Sequence, residues 1–340
     1  MPVMEDWRTC SREDFFKRIS TSAVVLKGLG SDSRAYREWD NEFFRKHWKA
    51  PVTVTCENRI GSTSNLATMK MQLDQFISLV NGPEPVYLSF WYFFRENPHL
   101  IDQLTSTFPD YLLDDWMGII PNGWGFSPGT RNNLFWGSNG TCTRCHYDDL
   151  NTITWNTTLR GNKRWLLFSA RGFDSYQPNG DWTRLMHEHG VMTDGFVTAE
   201  GLRRYFAEKP SQLPELDFYY AEVPAGSTVF VPWQWAHQVH NQGECLAYSR
   251  YYVSADNYDA CHEFLKRNFG PVAGALFRGV IGSSRSRSIL RNPSIRAVLE
   301  SAPVCKAFQL GLHLAGIRPP PIHYLIPDAK VPAGKANSDP

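Results

Sequence analysis

The segment from Thr143 to Ser169 carries the residues of this chain that are best suited to metal chemistry. It opens with a His-x-Asp pair, His146 and Asp148. Because side chains alternate between the two faces of a β-strand, residues two apart share a face and can reach the same ion. An imidazole and a carboxylate suit a divalent transition metal, but a site with two protein ligands needs at least a third.

The segment FVPWQWAHQVHN (230–241) offers the third ligand. His237 and His240 are an odd number of residues apart, so in a strand they face opposite sides and only one can join the pair. Two histidines and one carboxylate form the facial triad of non-haem Fe(II) oxygenases, which leaves coordination positions open. A structural zinc site would instead be closed, usually by four ligands. Residue types alone leave the choice between the two histidines open.

With these segments together, the sequence resembles the JmjC dioxygenases, a branch of the cupin-like Fe(II)/2-oxoglutarate oxygenases, from about Ala23 to Ser254. The shared pattern is a His-x-Asp pair, a Gly-x-Lys-Arg-Trp segment and a later Pro-x-x-Trp-x-His-x-Val-x-Asn strand. Its residues here are His146 and Asp148; Gly161, Lys163, Arg164 and Trp165; and Pro232, Trp235, His237, Val239 and Asn241. The resemblance implies that His146, Asp148 and His237 form the catalytic Fe(II) triad.

The resemblance also implies 2-oxoglutarate as co-substrate and O₂ as oxidant. The distal carboxylate of 2-oxoglutarate needs a cation once it is buried. Lys163 suits this role, since it shares a strand face with Trp165 and Leu167. The other co-substrate-binding residues that the resemblance implies are Tyr87, Thr143, Asn156 and Ser249, of which Ser249 stands where close relatives carry threonine.

The implied reaction is hydroxylation of a side chain of a protein substrate, coupled to decarboxylation of 2-oxoglutarate to succinate and CO₂. The neighbouring residues most resemble the small lysyl-hydroxylase-like branch. Two alternatives stay open: an N-methyl-lysine or N-methyl-arginine demethylase of the same fold, and a binding or scaffold protein without turnover. RNA is a weaker alternative as substrate, because the net charge is only +1 and gives no electrostatic reason to expect nucleic acid.

Hydrophobic patterning predicts a mainly β fold. Strand-like segments crowd together at 133–137, 143–148, 151–161, 163–169, 217–241 and 244–254. Gly161-Asn162 has the chemistry of a hairpin turn between two of them. Together with the resemblance, this predicts a double-stranded β-helix of the jelly-roll or cupin type, flanked by N-terminal and C-terminal α-helices.

Four regions are expected along the chain. They are residues 1–110, which frame the barrel; 111–254, the barrel core with a polar insertion at 170–216 that holds one helix at 198–208; 255–325, a helical region; and 326–340, a tail of disordered composition. In the helical region we expect helices at 259–269 and 295–314 and a Ser/Arg-rich link at 283–291. These C-terminal helices are the expected surface of a homodimer.

Composition is that of a globular protein, with 340 residues, 42% of them hydrophobic. The N-terminus lacks an apolar signal core and no run approaches the length of a membrane span, which predicts a cytoplasmic or nuclear protein without membrane association. Seven scattered cysteines predict reduced structural thiols rather than a disulfide scaffold. Cys142-x-x-Cys145-His146 matches a haem-attachment string, but that interpretation requires export. His187 and His189 are expected to be solvated.

Overall fold

The computed structural model describes residues 3–55, 68–120, 131–170, 173, 181–208, 210–301, 303, 304 and 306. Its strands are β1 Val3–Asp6, β2 Val24–Lys27, β3 Val52–Thr55, β4 Thr68–Met71, β5 Tyr87–Trp91, β6 Asn132–Gly137, β7 Cys142–His146, β8 Ile153–Ser169, β9 Met192–Thr193, β10 Phe196–Val197, β11 Tyr219–Pro224, β12 Thr228–Val231 and β13 Trp235–Tyr252. Its α-helices are α1 Arg12–Ile19, α2 Arg34–Glu38, α3 Asn41–His47, α4 Leu73–Leu79, α5 Phe93–Glu96, α6 Ile101–Thr105, α7 Asp110–Leu113, α8 Asp181–Glu188, α9 Ala199–Glu208, α10 Tyr258–Phe269, α11 Pro271–Phe277, α12 Ser284–Leu290 and α13 Pro293–Leu299.

The two long strands β8 and β13 organise the sheet. They pair antiparallel along almost their whole lengths, from Ile153 opposite Tyr252 to Ser169 opposite Trp235. The first half of β8 and the second half of β13 have β12 and β6 as outer neighbours, whereas the other halves have β11 and β7. Each long strand therefore belongs to two layers, one of which contains β11 and β7 while the other contains β12 and β6 and extends beyond them to β1 and β4.

These layers belong to one eleven-stranded sheet in the described part of the chain, and its strand path runs open from β1 to β4. Helices α1 to α7 precede the long strands and α10 to α13 follow them. The prediction of a mainly β, cupin-like core flanked by N-terminal and C-terminal helices is confirmed. The exact boundaries of the four regions stay predictions.

The predicted hairpin turn at Gly161-Asn162 is wrong, because β8 continues through both residues. Gly161 has a φ of 71°, and a Cβ at this position would overlap the carbonyl oxygen of Glu244 on β13. The register of the two long strands shifts here, from Asn162 opposite Gln242 to Arg160 opposite Leu246. Three residues of β13, 243–245, thus oppose Gly161 alone, so the glycine makes room for a β-bulge of β13 within a continuous ladder, rather than a turn between two strands.

Aromatic residues from the N-terminal helices build the core against the layer that contains β12 and β6. Helix α1 begins after Ser11, whose side chain accepts a hydrogen bond from the Asp14 N–H, as a good N-cap does. Its apolar face places Phe15 and Ile19 in the core, where Phe15 contacts Phe230 of β12 edge to face. Burial of such large rings is the main contribution to the stability of this layer.

The insertion predicted as polar has a buried core of its own. The helix predicted at 198–208 is confirmed as α9, and a second helix, α8, was not predicted. Trp182 and Met186 are one turn apart on α8 and fully buried against Phe168 of β8. The Gln238 side chain accepts from the N–H of Val197 and donates to its carbonyl. These contacts fasten the insertion to β13.

The C-terminal region is helical, as predicted, and α10 matches the helix expected at 259–269. The expected link at 283–291 is wrong, because Ser283 accepts a hydrogen bond from the Ser286 N–H and so starts α12. The helix expected at 295–314 is wrong in its extent, because α13 begins at Pro293 and ends at Leu299. The predicted tail at 326–340 lies outside the described residues. Among the helices that the structure describes, none is long and apolar enough to span a membrane.

A matched pair of glycine substitutions tests the bend in β8. Gly161→Ala should destabilise the protein by about 2–4 kcal/mol, since it adds both left-handed strain and a backbone overlap. Gly243→Ala has the same type of strain, with a φ of 77°, but its Cβ would meet nothing within 4 Å, so it should cost about 1 kcal/mol. Urea unfolding measures both. Equal losses would contradict the assignment of Gly161 to a tightly packed bulge.

Candidate metal centre and adjoining pocket

A pocket lies between the two layers of the sheet. Its lining residues are Tyr87, Phe90, Phe135, Thr143, His146, Asp148, Thr154, Asn156, Lys163, Trp165, His237, Val239, Ser249 and Tyr251. The structure thus places all eight of the predicted site residues around the same pocket. They come from β5, from β7 and the residues just after it, from β8 and from β13, so folding brings together four separate parts of the chain.

His146, Asp148 and His237 converge at this pocket. Their ligand atoms lie within 4.8 Å of one another, which in the described ranges is true of no other group of three His, Cys, Asp or Glu residues. Nε2 of His146 is 3.6 Å from Oδ1 of Asp148, and Nε2 of His237 is 3.8 Å from Oδ2. The pairing of β7 with β13 explains the convergence, because it sets His146 directly opposite His237.

Backbone carbonyl groups orient both imidazoles. Nδ1 of His146 lies 2.7 Å from the Arg144 carbonyl oxygen, and Nδ1 of His237 lies 3.3 Å from that of Trp235. A carbonyl group only accepts hydrogen bonds, so Nδ1 carries the proton and Nε2 presents its lone pair to the pocket. His240 does not line the pocket, and its Nε2 lies 2.8 Å from Nε2 of Gln238.

Burial favours the protonation states that a metal ion requires. Burial, reinforced by the neighbouring His146, lowers the pKa of His237 to about 4. Burial alone would raise the pKa of Asp148, but its interactions with His237 and His146 outweigh this effect and hold the pKa below its ordinary value. Neutral imidazoles and an ionised carboxylate are the forms that bind a divalent ion. The three side chains therefore fit a metal with N₂O protein ligation.

Lys163 brings a buried positive charge to the same pocket. Its side chain is only 1% exposed, and burial lowers the pKa of its ammonium group to about 8. No acidic side chain in the described part of the chain forms an ion pair with it. An uncompensated buried cation fits an anionic guest, since the guest would supply the missing counter-charge.

Polar groups beside Lys163 also suit an anionic guest. The hydroxyl groups of Tyr87 and Thr143 lie 3.0 Å apart, and Oδ1 of Asn156 is buried without a hydrogen-bond partner among the described residues. Ser249 is less well placed, because its hydroxyl donates to the Trp155 carbonyl and only its lone pairs remain for a guest. A small dicarboxylate whose other end reaches the metal ligands fits this arrangement.

Further lining residues were not predicted as site residues from the sequence. Thr154 lies two residues before Asn156 on β8, and Tyr251 lies two residues after Ser249 on β13, so the period of two could have identified both. Phe90 and Phe135, whose rings are 5.0 Å apart, form an apolar wall. Phe90 has a positive φ of 49° within β5, and nothing in the local sequence indicated its position.

Comparison with known proteins agrees with this geometry. A family model described as a cupin-like domain matches residues 13–258. The chain is 25% identical to the arginine-specific demethylase JMJ22 of Arabidopsis thaliana over 87% of this chain and 54% of the relative. It is 27% identical to the human 2-oxoglutarate and iron-dependent oxygenase JMJD4, over 54% of this chain and 40% of the relative. It is 26% identical to the bifunctional arginine demethylase and lysyl-hydroxylase psr-1 of Caenorhabditis briggsae, over 69% and 56%. The chain thus spans about half the length of the curated relatives that it matches.

The pH dependence of stability tests the buried state of Lys163. Lys163→Met should stabilise the protein at pH 7 on the order of 2–3 kcal/mol, because the native protein no longer buries a charge. This advantage should shrink as the pH rises from about 8 to 10.5, since the unfolded wild-type chain still holds a proton that native Lys163 has lost. Urea unfolding across this range measures it, with the exposed Lys27→Met as control. If Lys163→Met were more stable than wild type by the same amount at every pH, the lowered pKa of Lys163 would be contradicted.

Proposed function

Because the chain belongs to the cupin-like JmjC family, whose domain covers residues 13–258, we propose that it is an Fe(II)- and 2-oxoglutarate-dependent oxygenase. The proposed reaction hydroxylates a side chain of a protein substrate. The observation that carries the proposal is the meeting at a single pocket of two histidines, one aspartate and a buried lysine that has no acidic partner among the described residues. A structural metal site would need no such lysine.

In this proposal His146, Asp148 and His237 hold the metal. The Arg144 and Trp235 carbonyls fix the orientation of the two imidazoles, so that both Nε2 atoms point at one position. Three protein ligands leave the remaining coordination positions free for small ligands. Iron bound there would supply the oxidising chemistry, in which O₂ is consumed, 2-oxoglutarate becomes succinate and CO₂, and the substrate gains one oxygen atom.

The protein would bind and orient the co-substrate at the other end of the pocket. The Lys163 ammonium group would neutralise the distal carboxylate, and the hydroxyl groups of Tyr87 and Thr143 and the Asn156 amide would form hydrogen bonds with it. Ser249 would add an acceptor only. Phe135 and Trp165 line the pocket and would exclude water, which strengthens the ion pair to Lys163. These contacts would leave the substrate side of the metal open.

Demethylation of an N-methylated arginine or lysine is a second candidate reaction at the same site. The names of two relatives, the arginine-specific demethylase of Arabidopsis and the bifunctional enzyme of C. briggsae, favour it. Insertion of oxygen into an N-methyl C–H bond gives an N-hydroxymethyl group, which releases formaldehyde. Hydroxylation of a carbon that is not bound to nitrogen instead leaves a stable alcohol, so the products separate the two reactions.

Succinate formation by the purified chain with Fe(II), ascorbate and 2-oxoglutarate tests the proposal. Asp148→Ala should lower the rate by more than about 100-fold through loss of a metal ligand, and Lys163→Met should raise the KM for 2-oxoglutarate. His240→Ala, on the same strand as His237 but outside the pocket, should be near wild type.

On peptide substrates, a mass gain of one oxygen indicates hydroxylation and formaldehyde indicates demethylation. Absence of both succinate formation and 2-oxoglutarate binding would favour a scaffold protein.

We also propose that the C-terminal helices form a homodimer. Val272 and Leu276 are one turn apart on α11 and are 50% and 44% exposed. Ile295 and Val298 on α13 are 38% and 63% exposed. Apolar pairs that follow the helical repeat and face solvent are typical of surfaces that pack against another helix. A second copy would cover both pairs.

Light scattering after size exclusion tests the dimer. The double variant Leu276→Glu, Val298→Glu should be monomeric at a concentration at which the wild type is dimeric, because two charges would be buried in the interface. Tyr220→Glu, at an exposed position of β11, is the control and should leave the mass unchanged. A wild-type chain that is monomeric at high concentration would contradict the proposal.

We further propose a cytoplasmic or nuclear location. Cys10, Cys145, Cys245 and Cys261 are buried free thiols, which supports a reducing compartment, while Cys56 and Cys305 lie outside the described residues. Fractionation of cells that express the tagged chain would test the location.

A further inference from the structure

The turn that follows Asp148 has a strained backbone. It covers residues 149–151 and connects β7 to β8, and Leu150 and Asn151 have φ values of 60° and 52°. Two consecutive residues other than glycine in the left-handed region are uncommon, because the Cβ atoms crowd the backbone. Such a conformation persists only when the surrounding structure holds it in place. The residues that contact this turn must therefore hold it in its strained conformation.

Asn257 at the start of α10 makes the central contact. Its side chain is fully buried. Nδ2 donates to the carbonyl of Asn151 and to that of Tyr252, both at 3.2 Å. Oδ1 accepts from the N–H of Ser254 at 2.8 Å. One side chain thus joins the strained turn, the end of β13 and the first turn of α10.

The next turn of α10 adds further contacts. The Cys261 thiol donates to the same Asn151 carbonyl at 3.2 Å, and burial raises the pKa of this thiol well above its ordinary value, so that it stays a donor. Nδ2 of Asn151 donates to the Ala260 carbonyl at 3.1 Å. Leu150 packs with Cys261 and Phe264 in a small buried cluster. Helix α10 therefore holds both strained residues.

Asp148 depends on this turn more than the two histidines do. His146 and His237 lie within strands that pair directly with each other. Asp148 lies beyond the end of β7 and before the start of β8, so no strand ladder fixes its backbone. Its carboxylate reaches the two imidazoles only while the following turn keeps its direction.

We propose that Asn257 is a positioning residue for the metal centre: it holds the turn at 149–151 and thereby fixes the carboxylate of Asp148 toward His146 and His237. This inference rests on the proposed function, since it takes the triad to be the metal site. None of the pocket-lining residues that the structure describes comes from α10, so this helix contributes to the site without contacting the guest.

Cobalt binding to the metal-free full-length protein tests the inference independently of turnover. Co(II) is titrated and followed by its visible absorption, which reports both affinity and ligand geometry. Asn257→Ala should bind Co(II) at least about 10-fold more weakly than wild type, as loss of a supporting residue commonly does, with an altered spectrum. Asn97→Ala is the matched control, because Asn97 is buried and its Nδ2 donates to the carbonyls of His47 and Phe93. The control should lose stability but keep its Co(II) affinity.

A milder variant covers the case in which Asn257→Ala does not fold. Cys261→Ala removes only the thiol donor and should weaken Co(II) binding about threefold. In either variant, the amide hydrogens of residues 149–152 should exchange faster than in wild type. Wild-type Co(II) affinity in Asn257→Ala, or in Cys261→Ala where the former does not fold, would overturn the inference, whatever the exchange rate of the turn.

Asp148→Ala in the same titration separates the two proposals. If the wild type does not bind Co(II), or if Asp148→Ala binds as well as wild type, the triad is not the metal site and the proposed function fails. If Asp148→Ala loses binding while the Asn257 and Cys261 variants keep it, only the positioning role fails.

Discussion

The pairing of β8 with β13 is the constraint on which the pocket depends. Both strands cross both layers, so the same ladder positions the metal ligand His237, the lysine Lys163 and the polar wall formed by Asn156 and Ser249. A slip of one residue would exchange every inward side chain for its neighbour and would replace Lys163 by Arg164. The bulge at Gly161 lets one strand serve two layers without breaking the ladder.

The distribution of buried charge separates the pocket from the rest of the core. Asp115 is buried with two partners, since Arg131 and Arg250 lie 2.6 and 2.9 Å from its carboxylate. Each arginine of that cluster therefore has an acidic partner, although the cluster carries a net charge of +1. It also holds the end of β13 in place, since Arg131 donates to the Tyr251 carbonyl and Asp115 accepts from the Val253 N–H. Lys163 has no such acid beside it in the part of the chain that the structure describes. Because an unpaired buried charge is costly, its place at the metal centre indicates a site that is completed by an anion.

The sequence pattern correctly predicted those features that depend on a single strand, such as the face on which a side chain lies. The inward position of Lys163, with Arg164 facing outward, follows from the period of two, and so does the choice of only one of His237 and His240. Local pattern failed where another segment decides the outcome. Gly161 has the chemistry of a turn, yet the approach of Glu244 makes it a bulge. The serines near residue 283 resemble a linker, yet one of them caps a helix.

The sequence by itself determined the candidate ligands of this protein: the residue types and spacing of His146, Asp148 and His237 fit a divalent metal, and the family resemblance added 2-oxoglutarate with Lys163 as its cation. Only the tertiary structure decided that these residues share a pocket and that α10 supports the turn behind Asp148. The physical reason is that a ligand set is defined by side-chain chemistry, which is local. The contact between Asn257 and Asn151 joins segments distant in sequence, so no local pattern encodes it.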